Sequence, residues 1–290
     1  MNNKLSLFKM AGSKRSILNT LYKHFPRTFE NFLDCMGGTY VVSLNLPIIH
    51  RYLRGDIPKT KLPIICINDI DSGISCLGKS LILEPKKVYE SANNMLRIKD
   101  LYQSFKELEP KNEFEMGIKK LYILSFSFGG QDTSSNTFGY HVNRALDYPQ
   151  LSGKEYLQKV VERLKLTQIF GEDYWEFITR FMYKMNDGLI YFDPPYYKTD
   201  GAGSDNFFEF DHNLLAERID IIHEEKGGKI LLSYNDCDFI RERYSNYKIV
   251  EIENKYKIDV NDNNKIVKEL LIMNYKDKVK TKANLRGFIK

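Results

Sequence analysis

GLIYFDPPY, residues 188–196, is the stretch of sequence that decides the fold. Its first half is a short apolar run, which is typical of a buried strand in a parallel sheet. The strand must stop at Asp193, because the two prolines that follow have no N–H group to offer to the ladder. Ligands of open α/β sheets bind just beyond the carboxyl ends of the strands. The segment therefore predicts an α/β fold with Asp193 at the rim of a ligand pocket.

Pro194 and Pro195 make this rim stiff, since each proline fixes its own φ and holds the residue before it extended. The rim would present the Asp193 carboxylate, the Pro194 carbonyl and the Tyr196 ring. An exocyclic amine of a nucleobase suits such a rim, because two acceptors on its N–H groups would orient its weakly nucleophilic lone pair. Tyr196 would then stack on a base swung out of its helix. The structural alternative is a tight turn in which Asp193 caps a helix.

The strand-then-acid pattern occurs twice more towards the N-terminus. We predict a strand at residues 31–33 that runs into Asp34 and a Gly37-Gly38 turn, and a strand at residues 62–67 that runs into Asp69 and Asp71. Such a succession of strand, turn, helix, strand and acid is typical of a nucleotide-binding α/β unit. Apolar runs predict further strands at residues 229–233, 247–252 and 269–275, the last two as a hairpin.

Helical spacing of apolar residues predicts the helices that alternate with these strands. They are expected at residues 14–23, from Val41 onward, at 85–109, 154–170, 174–184 and 214–222, the last with Asp211 as N-cap. The run 122–128 is predicted as a strand that enters Gly129-Gly130.

Composition sets the class of protein. The 290 residues are 42% hydrophobic, and 13% are aromatic, which excludes a disordered chain. The net charge of +5 is compatible with nucleic acid. The four cysteines have no zinc-binding spacing, and we expect reduced thiols in a cytoplasmic protein without a signal peptide or membrane span.

Several motifs, taken in order, resemble the Dam-like family of DNA adenine N6-methyltransferases. KMAGSK at residues 9–14 is similar to that family's K-W-A-G-G-K opening, and FLDCMGGTYVVS at 32–43 to its F-x-D-L-F-A-G-S-G-V-V-S loop. INDID at 67–71 and DPPY at 193–196 follow in the family's order. The segments 210–219, 229–236 and 269–275 resemble its later motifs, whereas the likeness fades between residues 72 and 152.

The resemblance implies a Rossmann-like, S-adenosylmethionine-dependent methyltransferase sheet with helices on both faces, plus a smaller, mostly helical target-recognition lobe. The catalytic, cofactor-binding domain would comprise residues 1–72 and 153–275, the target-recognition region 73–152, and a basic tail 276–290. The product would be S-adenosylhomocysteine, and the direct transfer needs no metal. The family's cofactor contacts carry over to Lys9, Ala11, Gly12, Lys14, Asp34, Met36, Gly37, Gly38, Asp69, Ile70 and Asp193, with Asp71 as the runner-up to Asp69 for the ribose hydroxyls.

The chain departs from the family pattern at Tyr40, where the family has the last glycine of its cofactor loop, and at Met10 and Ser13. A side chain at residue 40 is expected to crowd the cofactor or to shift the loop. One alternative is therefore a catalytically impaired, DNA-binding member of the fold. Another is a methyltransferase acting on RNA or on the cytosine N4 amine. Asp193 disfavours the cytosine amine, because the enzymes that act on it more commonly have serine at the position of this acid.

Duplex DNA is the expected partner, with a cognate restriction endonuclease as a further one, and the chain is expected to be a monomer or a weak dimer. Residues 125–145 are candidates for base contacts, although a solvated polar loop is an equal alternative. The candidate DNA-binding residues are Lys14, Gly130, Asn136, Tyr140, Arg144 and Lys198. The chain has no Pro-Cys pair, so carbon methylation of cytosine is rejected, and it has neither a Walker motif nor a zinc-deaminase motif.

Overall fold

A computed structural model describes residues 4–10, 12–127, 138–139, 149–182, 187–198, 210–225, 228–256 and 265–276. Within these ranges one seven-stranded sheet forms the centre of the molecule. Its strands are β1 (Asn31–Asp34), β2 (Ile64–Asn68), β3 (Thr167–Phe170), β4 (Gly188–Phe192), β5 (Lys229–Asn235), β6 (Lys248–Tyr256) and β7 (Lys265–Met273).

The strand order is β3-β2-β1-β4-β5-β7-β6. The five strands from β3 to β5 pair in parallel, whereas β7 is antiparallel to both β5 and β6. The chain winds outward in one direction from β1 and in the other from β4, so the topological switch point lies between these two neighbours. This is where ligands of doubly wound sheets bind.

Helices cover both faces of the sheet, as the sequence predicts. They are α1 (Leu18–Lys23), α2 (Val41–Leu44), α3 (Pro47–Leu53), α4 (Ser72–Leu83), α5 (Pro85–Asn93), α6 (Lys99–Glu107), α7 (Glu113–Phe126), α8 (Lys154–Leu164), α9 (Tyr174–Thr179), α10 (His212–Glu224) and α11 (Asp238–Arg243). Asp211 accepts a hydrogen bond from the N–H of Leu214, so it caps α10 as predicted. In the described ranges, none of the helices combines the length and apolar character that a membrane span requires.

The prediction of a strand at residues 122–128 is wrong, because its first part is the end of helix α7. Asn112 caps this helix by accepting the N–H of Glu115. Leu121 to Leu124 and Phe126 are all buried, so the helix is apolar on every side near its end. A short apolar run of this kind has no periodicity that separates a buried helix from a buried strand.

Several predicted helices have different bounds in the structure, and three of them differ most. The helix expected at 154–170 ends at Leu164, and strand β3 then begins at Thr167 and pairs with β2. The single helix expected at 85–109 is two helices, α5 and α6. The helix expected from Lys14 begins only at Leu18. In each case the local periodicity of apolar residues did not show the exact first or last residue of the helix.

Alternating residues of the central strands fill cores on opposite faces of the sheet. Leu33, Ile190 and Leu232 pack with helices α9 to α11. Phe32, Leu189 and Leu231 pack on the other face with helices α1 to α3. A third cluster joins α4, α7 and α8 to Ile67 of β2. Helices from the predicted 73–152 region therefore share a core with the sheet.

Candidate active site

Three carboxylates lie at the carboxyl ends of three neighbouring strands. Asp34 ends β1 and pairs in register with Ile67 of β2 and Tyr191 of β4. Asp69 and Asp193 each come two residues after those partners. Because parallel strands lie about 4.8 Å apart, the three acids meet at the same edge of the sheet. Asp34 and Asp193 flank the topological switch point.

Burial dominates the electrostatics of these acids. It raises the pKa of Asp34 to about 7 and that of Asp69 to about 6. Burial likewise raises the pKa of Asp193, although the nearby Lys14 ammonium opposes that shift. The charges of Asp69 and Asp193 each raise the pKa of Asp34 further. A cluster of desolvated, mutually repelling carboxylates is a site that a cationic ligand would stabilise.

One of the two oxygens of the Asp34 carboxylate accepts a hydrogen bond, and the other has no donor within the described residues. Its Oδ2 accepts a hydrogen bond from the Ser43 hydroxyl at 2.5 Å. No donor among the described residues reaches its Oδ1, which is fully buried. A buried acceptor without a partner is costly. A proton or a nearby positive charge would therefore stabilise this carboxyl group.

Replacing Asp34 with asparagine is expected to change how stability depends on pH. A carboxyl whose pKa is higher in the folded chain binds its proton more tightly there, so the free energy of unfolding falls as pH rises from 3.8 to about 7. The amide introduced by Asp34→Asn cannot ionise and avoids this loss. The Tm of Asp34→Asn minus that of the parent chain should therefore increase across this window in thermal melts without ligand.

Asp187→Asn provides the control, because Asp187 lies at the opposite end of β4 and is 69% exposed. Its Tm difference from the parent chain should stay flat over the same window. A flat difference for Asp34→Asn would contradict the raised pKa of Asp34.

The loop after β1 lies against Asp69. The N–H of Gly38 donates to Asp69 Oδ2 at 2.7 Å, and Gly38 has a φ of +50°. Gly37 has no room for a side chain, because a Cβ there would lie 2.7 Å from Cγ2 of Ile67. The loop therefore brings backbone close to the acid, as its two glycines predict.

Tyr40 adopts the left-handed conformation that its position in the loop requires, with a φ of +59°. Its ring is fully buried in the core with Leu77 and Ile67, and its hydroxyl donates to the carbonyl of Ile74 at 3.4 Å. The side chain therefore lies beneath the loop. Core packing takes up the ring, so it does not crowd the cofactor side of the loop, whereas the other expectation, a shifted loop, stays a prediction.

Asp71 bonds Asp69 through its backbone N–H group and Lys120 through its own carboxylate. The N–H of Asp71 donates to Asp69 Oδ1 at 2.9 Å. The Asp71 carboxylate caps α4 through the N–H groups of Gly73 and Ile74. It also pairs at 2.5 Å with Lys120 of α7, an ammonium that is 9% exposed. Asp71 is thus occupied as a cap and an ion-pair partner, which leaves Asp69 facing the loop.

Asp193 is held from two sides. Lys14 Nζ lies 2.7 Å from its Oδ1, and the Ser233 hydroxyl donates to the same oxygen at 2.9 Å. Ser233 lies on β5 and also shares a hydrogen bond with the Tyr191 hydroxyl. Lys14 is 3% exposed and donates to the carbonyl of Gly12 as well. The KMAGSK segment thereby supplies the cation of the Asp193 site.

The Tyr196 ring faces the same ammonium. Lys14 Nζ lies 4.7 Å from the ring centroid, within cation–π distance. The Tyr196 hydroxyl donates to Glu269 Oε2 at 2.7 Å. The next residue, Tyr197, is clamped by Asn235, whose side-chain amide bonds both its N–H and its carbonyl at 2.9 Å. The rim after β4 is therefore fixed by side chains as well as by its prolines.

The structure brings together Lys14, Asp34, Asp69, Asp193 and Tyr196 and leaves other predicted residues at the margin. Gly12 has a φ of +79° and is exposed, Lys9 is exposed, Met36 is half-buried and Ile70 is 68% exposed. Lys198 is exposed, with its ammonium 5.2 Å from the Tyr197 ring centroid. The predicted residues Ala11, Gly130, Asn136, Tyr140 and Arg144 lie outside the described residues. Over the described ranges, no group of three or more His, Cys, Asp or Glu side chains is arranged to hold a metal ion.

Sequence reasoning missed several residues that shape this site. They are Asn68, Lys120, Ser233, Asn235, Asn254 and Glu269. Ser233 and Asn235 lie in the KILLSYND segment and Glu269 in ELLIMNY, whose likeness to the family was the signal available. Asn68 joins the loops after β1 and β3 through the carbonyls of Cys35 and Glu172.

Comparison with known proteins shows the family of this chain. Residues 10–258 match the family of D12 class N6 adenine-specific DNA methyltransferases. The chain is 23% identical over 267 residues to the retron Ec67 DNA adenine methylase of Escherichia coli, covering 88% of this chain and 86% of that protein. It is 24% identical over 277 residues to the DNA adenine methylase of Haemophilus influenzae, covering 91% of each. The family resemblance noted in the sequence is confirmed, and the chain belongs to the D12 class N6 adenine-specific DNA methyltransferase family.

Proposed function

We propose that this protein transfers a methyl group directly from S-adenosylmethionine to the N6 amine of an adenine swung out of duplex DNA. The observation that carries this proposal is the Asp193 carboxylate on its Pro-Pro corner, at the switch point of the sheet and beside the acids of β1 and β2. Membership of the family makes DNA the substrate and adenine the target. The roles of the individual residues are inferred from their chemistry.

The residues of the pocket fit the cofactor. S-adenosylmethionine carries a sulfonium and an ammonium group, and the acid cluster favours positive charge. The spare Oδ1 of Asp34 would accept a donor from the cofactor. Asp69 would hold the ribose hydroxyls, because its carboxylate already faces the Gly38 loop. When bound, the cofactor supplies a methyl group activated by the positive sulfur.

Asp193 and Pro194 would orient the target amine. The Asp193 carboxylate accepts one N–H and the Pro194 carbonyl the other, which aims the lone pair at the methyl group. The Lys14 ammonium now occupies Asp193 Oδ1 at 2.7 Å, so the incoming amine would exchange with it. Lys14 thereby opposes the rise that burial causes in the pKa of Asp193. Catalysis in this scheme is positioning and electrostatics.

Tyr196 would stack on the extruded base. Its ring stands beside Asp193 and already binds a cation on its face. Any nucleobase offers a flat face to such a ring, whereas the amine acceptors select a base with an exocyclic amine. For recognition of the surrounding sequence we propose residues 73–152, with Lys198 beside the rim. A restriction endonuclease partner and a monomeric or weakly dimeric state remain sequence-based predictions.

The proposal is tested by methyl transfer from isotopically labelled S-adenosylmethionine to unmethylated duplex DNA. Digestion to nucleosides should place the label in N6-methyladenine. Label in N4-methylcytosine, or transfer to RNA alone, would contradict it. DNA binding without transfer would favour the impaired, DNA-binding alternative, which the buried position of Tyr40 leaves without its main support.

A further inference from the structure

A buried polar cluster lies behind the Tyr196 ring, and no step of the proposed transfer uses it. We call it the Glu269 cluster, and it consists of Glu269 on β7, Asn254 on β6 and the Tyr196 hydroxyl. Glu269 is 0% exposed and Asn254 is 1% exposed. Glu269 Oε2 accepts from Tyr196 at 2.7 Å, and Oε1 accepts from Asn254 Nδ2 at 2.6 Å. Both carboxylate oxygens therefore hold a donor.

A glutamate is an unfavourable choice for folding at this position. Glu269 pairs with Asn235 on one side and Ile252 on the other, in the interior of the sheet. The residues that follow it on β7 are apolar and buried. Removing a carboxylate from water costs several kcal/mol, and its hydrogen bonds in the protein seldom offset this desolvation penalty in full. The charge of Glu269 also raises the pKa of Asp193. Neither the stability of the fold nor the pKa of Asp193 therefore explains why a glutamate occupies position 269.

In the rim, Glu269 holds the hydroxyl of the Tyr196 ring. Tyr196 follows two prolines, which fix the backbone of the rim but not the rotation of the ring about its side-chain bonds. The bond from the hydroxyl to Glu269 anchors the ring at the end farthest from the backbone. On the other side of the cluster, Asn254 Oδ1 accepts from the Ser16 hydroxyl at 2.6 Å. The cluster therefore ties the ring and the segment that carries Lys14 to the same two strands.

We propose that Glu269 is a positioning residue of the active site, which anchors the Tyr196 ring at the place where an extruded adenine must stack to bring its amine to Asp193. This inference rests on the proposed function, in which Tyr196 is the stacking face. Glu269 does not touch the base or the cofactor in this role. It acts on the ring through the Tyr196 hydroxyl.

The test compares Tyr196→Phe, Glu269→Leu and the double variant in single-turnover transfer to duplex DNA. Each single change should slow transfer by roughly 10- to 100-fold, the cost of misplaced reacting groups. The Kd for S-adenosylmethionine should stay unchanged. The double variant should be no slower than the slower of the two single variants, because both changes remove the bond between Tyr196 and Glu269. Glu269→Gln should restore most of the rate, since its amide can accept from Asn254 and donate to the Tyr196 oxygen.

Glu253→Gln is the matched control, because Glu253 lies on the same hairpin but is exposed. It should transfer at the parent rate. If Glu269→Leu does not fold in a thermal melt, Tyr196→Phe decides alone, since it keeps the ring and removes only the hydroxyl. A parent rate in Tyr196→Phe, or losses that add in the double variant, would overturn the inference.

Failure of this inference is distinguishable from failure of the proposed function. A fully active Tyr196→Phe beside an inactive Asp193→Ala would leave the transfer mechanism standing and remove only the role of Glu269. Absence of methyl transfer by the parent chain would overturn both.

Discussion

Asp193→Ala should lower kcat for methyl transfer by roughly 10²- to 10³-fold, the range seen when one preorganised electrostatic contact to a reacting group is lost. The carboxylate is expected to accept one N–H of the target amine and so to aim its lone pair. Binding of duplex DNA should persist, because phosphate contacts, which cationic side chains make, dominate affinity for DNA. The measurement is the single-turnover rate with labelled cofactor, together with the Kd for DNA at fixed salt.

The alanine variant will also lose stability. Lys14 is 3% exposed, so removing Asp193 leaves a buried ammonium without its carboxylate, which typically costs about 3–5 kcal/mol. Asp193→Asn separates the two effects, since an amide oxygen still accepts from Ser233 and from Lys14. It should melt closer to the parent chain and still transfer slowly.

Asp187→Ala, at the other end of β4, is the control for Asp193→Ala and should keep the parent rate. A folded Asp193→Ala that transfers at the parent rate would refute the role of the carboxylate.

Asp69→Ala should weaken binding of S-adenosylmethionine by roughly 10- to 100-fold, since hydrogen bonds to a charged group are worth about 1.5–3 kcal/mol. The Asp69 carboxylate accepts the N–H groups of Gly38 and Asp71, which fix its orientation, and the proposed role gives it the two hydroxyls of the cofactor ribose. Calorimetric titration of the cofactor into the variant measures the change in Kd.

Asp71→Ala distinguishes Asp69 from the other acid of the same segment. Asp71 caps α4 and pairs with Lys120, so its loss should mainly lower Tm, with a helix-cap cost of about 0.5–2 kcal/mol. A larger rise in the cofactor Kd for Asp71→Ala than for Asp69→Ala would reverse the assignment of the ribose acid.

The electrostatics of the site add a pH dependence to cofactor binding. A positively charged ligand prefers ionised carboxylates, and burial raises the pKa of Asp34 to about 7. Affinity for S-adenosylmethionine should therefore rise with pH up to that value and level off above it, as calorimetric titrations over a pH series would show. Binding of the positive cofactor in turn lowers the pKa of these acids.

Much of the fold could be predicted from the order of the motifs, because each motif constrains the backbone over a few neighbouring residues. A strand that ends in an acid is readable from a few residues, because apolar runs, glycines and prolines each constrain the backbone directly. In this way β1, β2 and β4 were predicted together with their acids, and β5 was predicted from its apolar run. The same local signals failed at residues 122–128 and at β3, where burial on all sides and pairing with β2 decided the outcome.

The sequence by itself determined which side chains are the candidates for the chemistry: Asp34, Asp69, Asp193 and the ring of Tyr196, each placed by a motif at the end of a strand. Only the tertiary structure decided what holds them. The Tyr40 ring lies in the core, Lys120 of α7 reaches Asp71, and Glu269 of β7 anchors Tyr196. The physical reason is separation along the chain. These contacts join residues that are 73 positions apart in the case of Tyr196 and Glu269, and only the order of strands in the sheet brings them together.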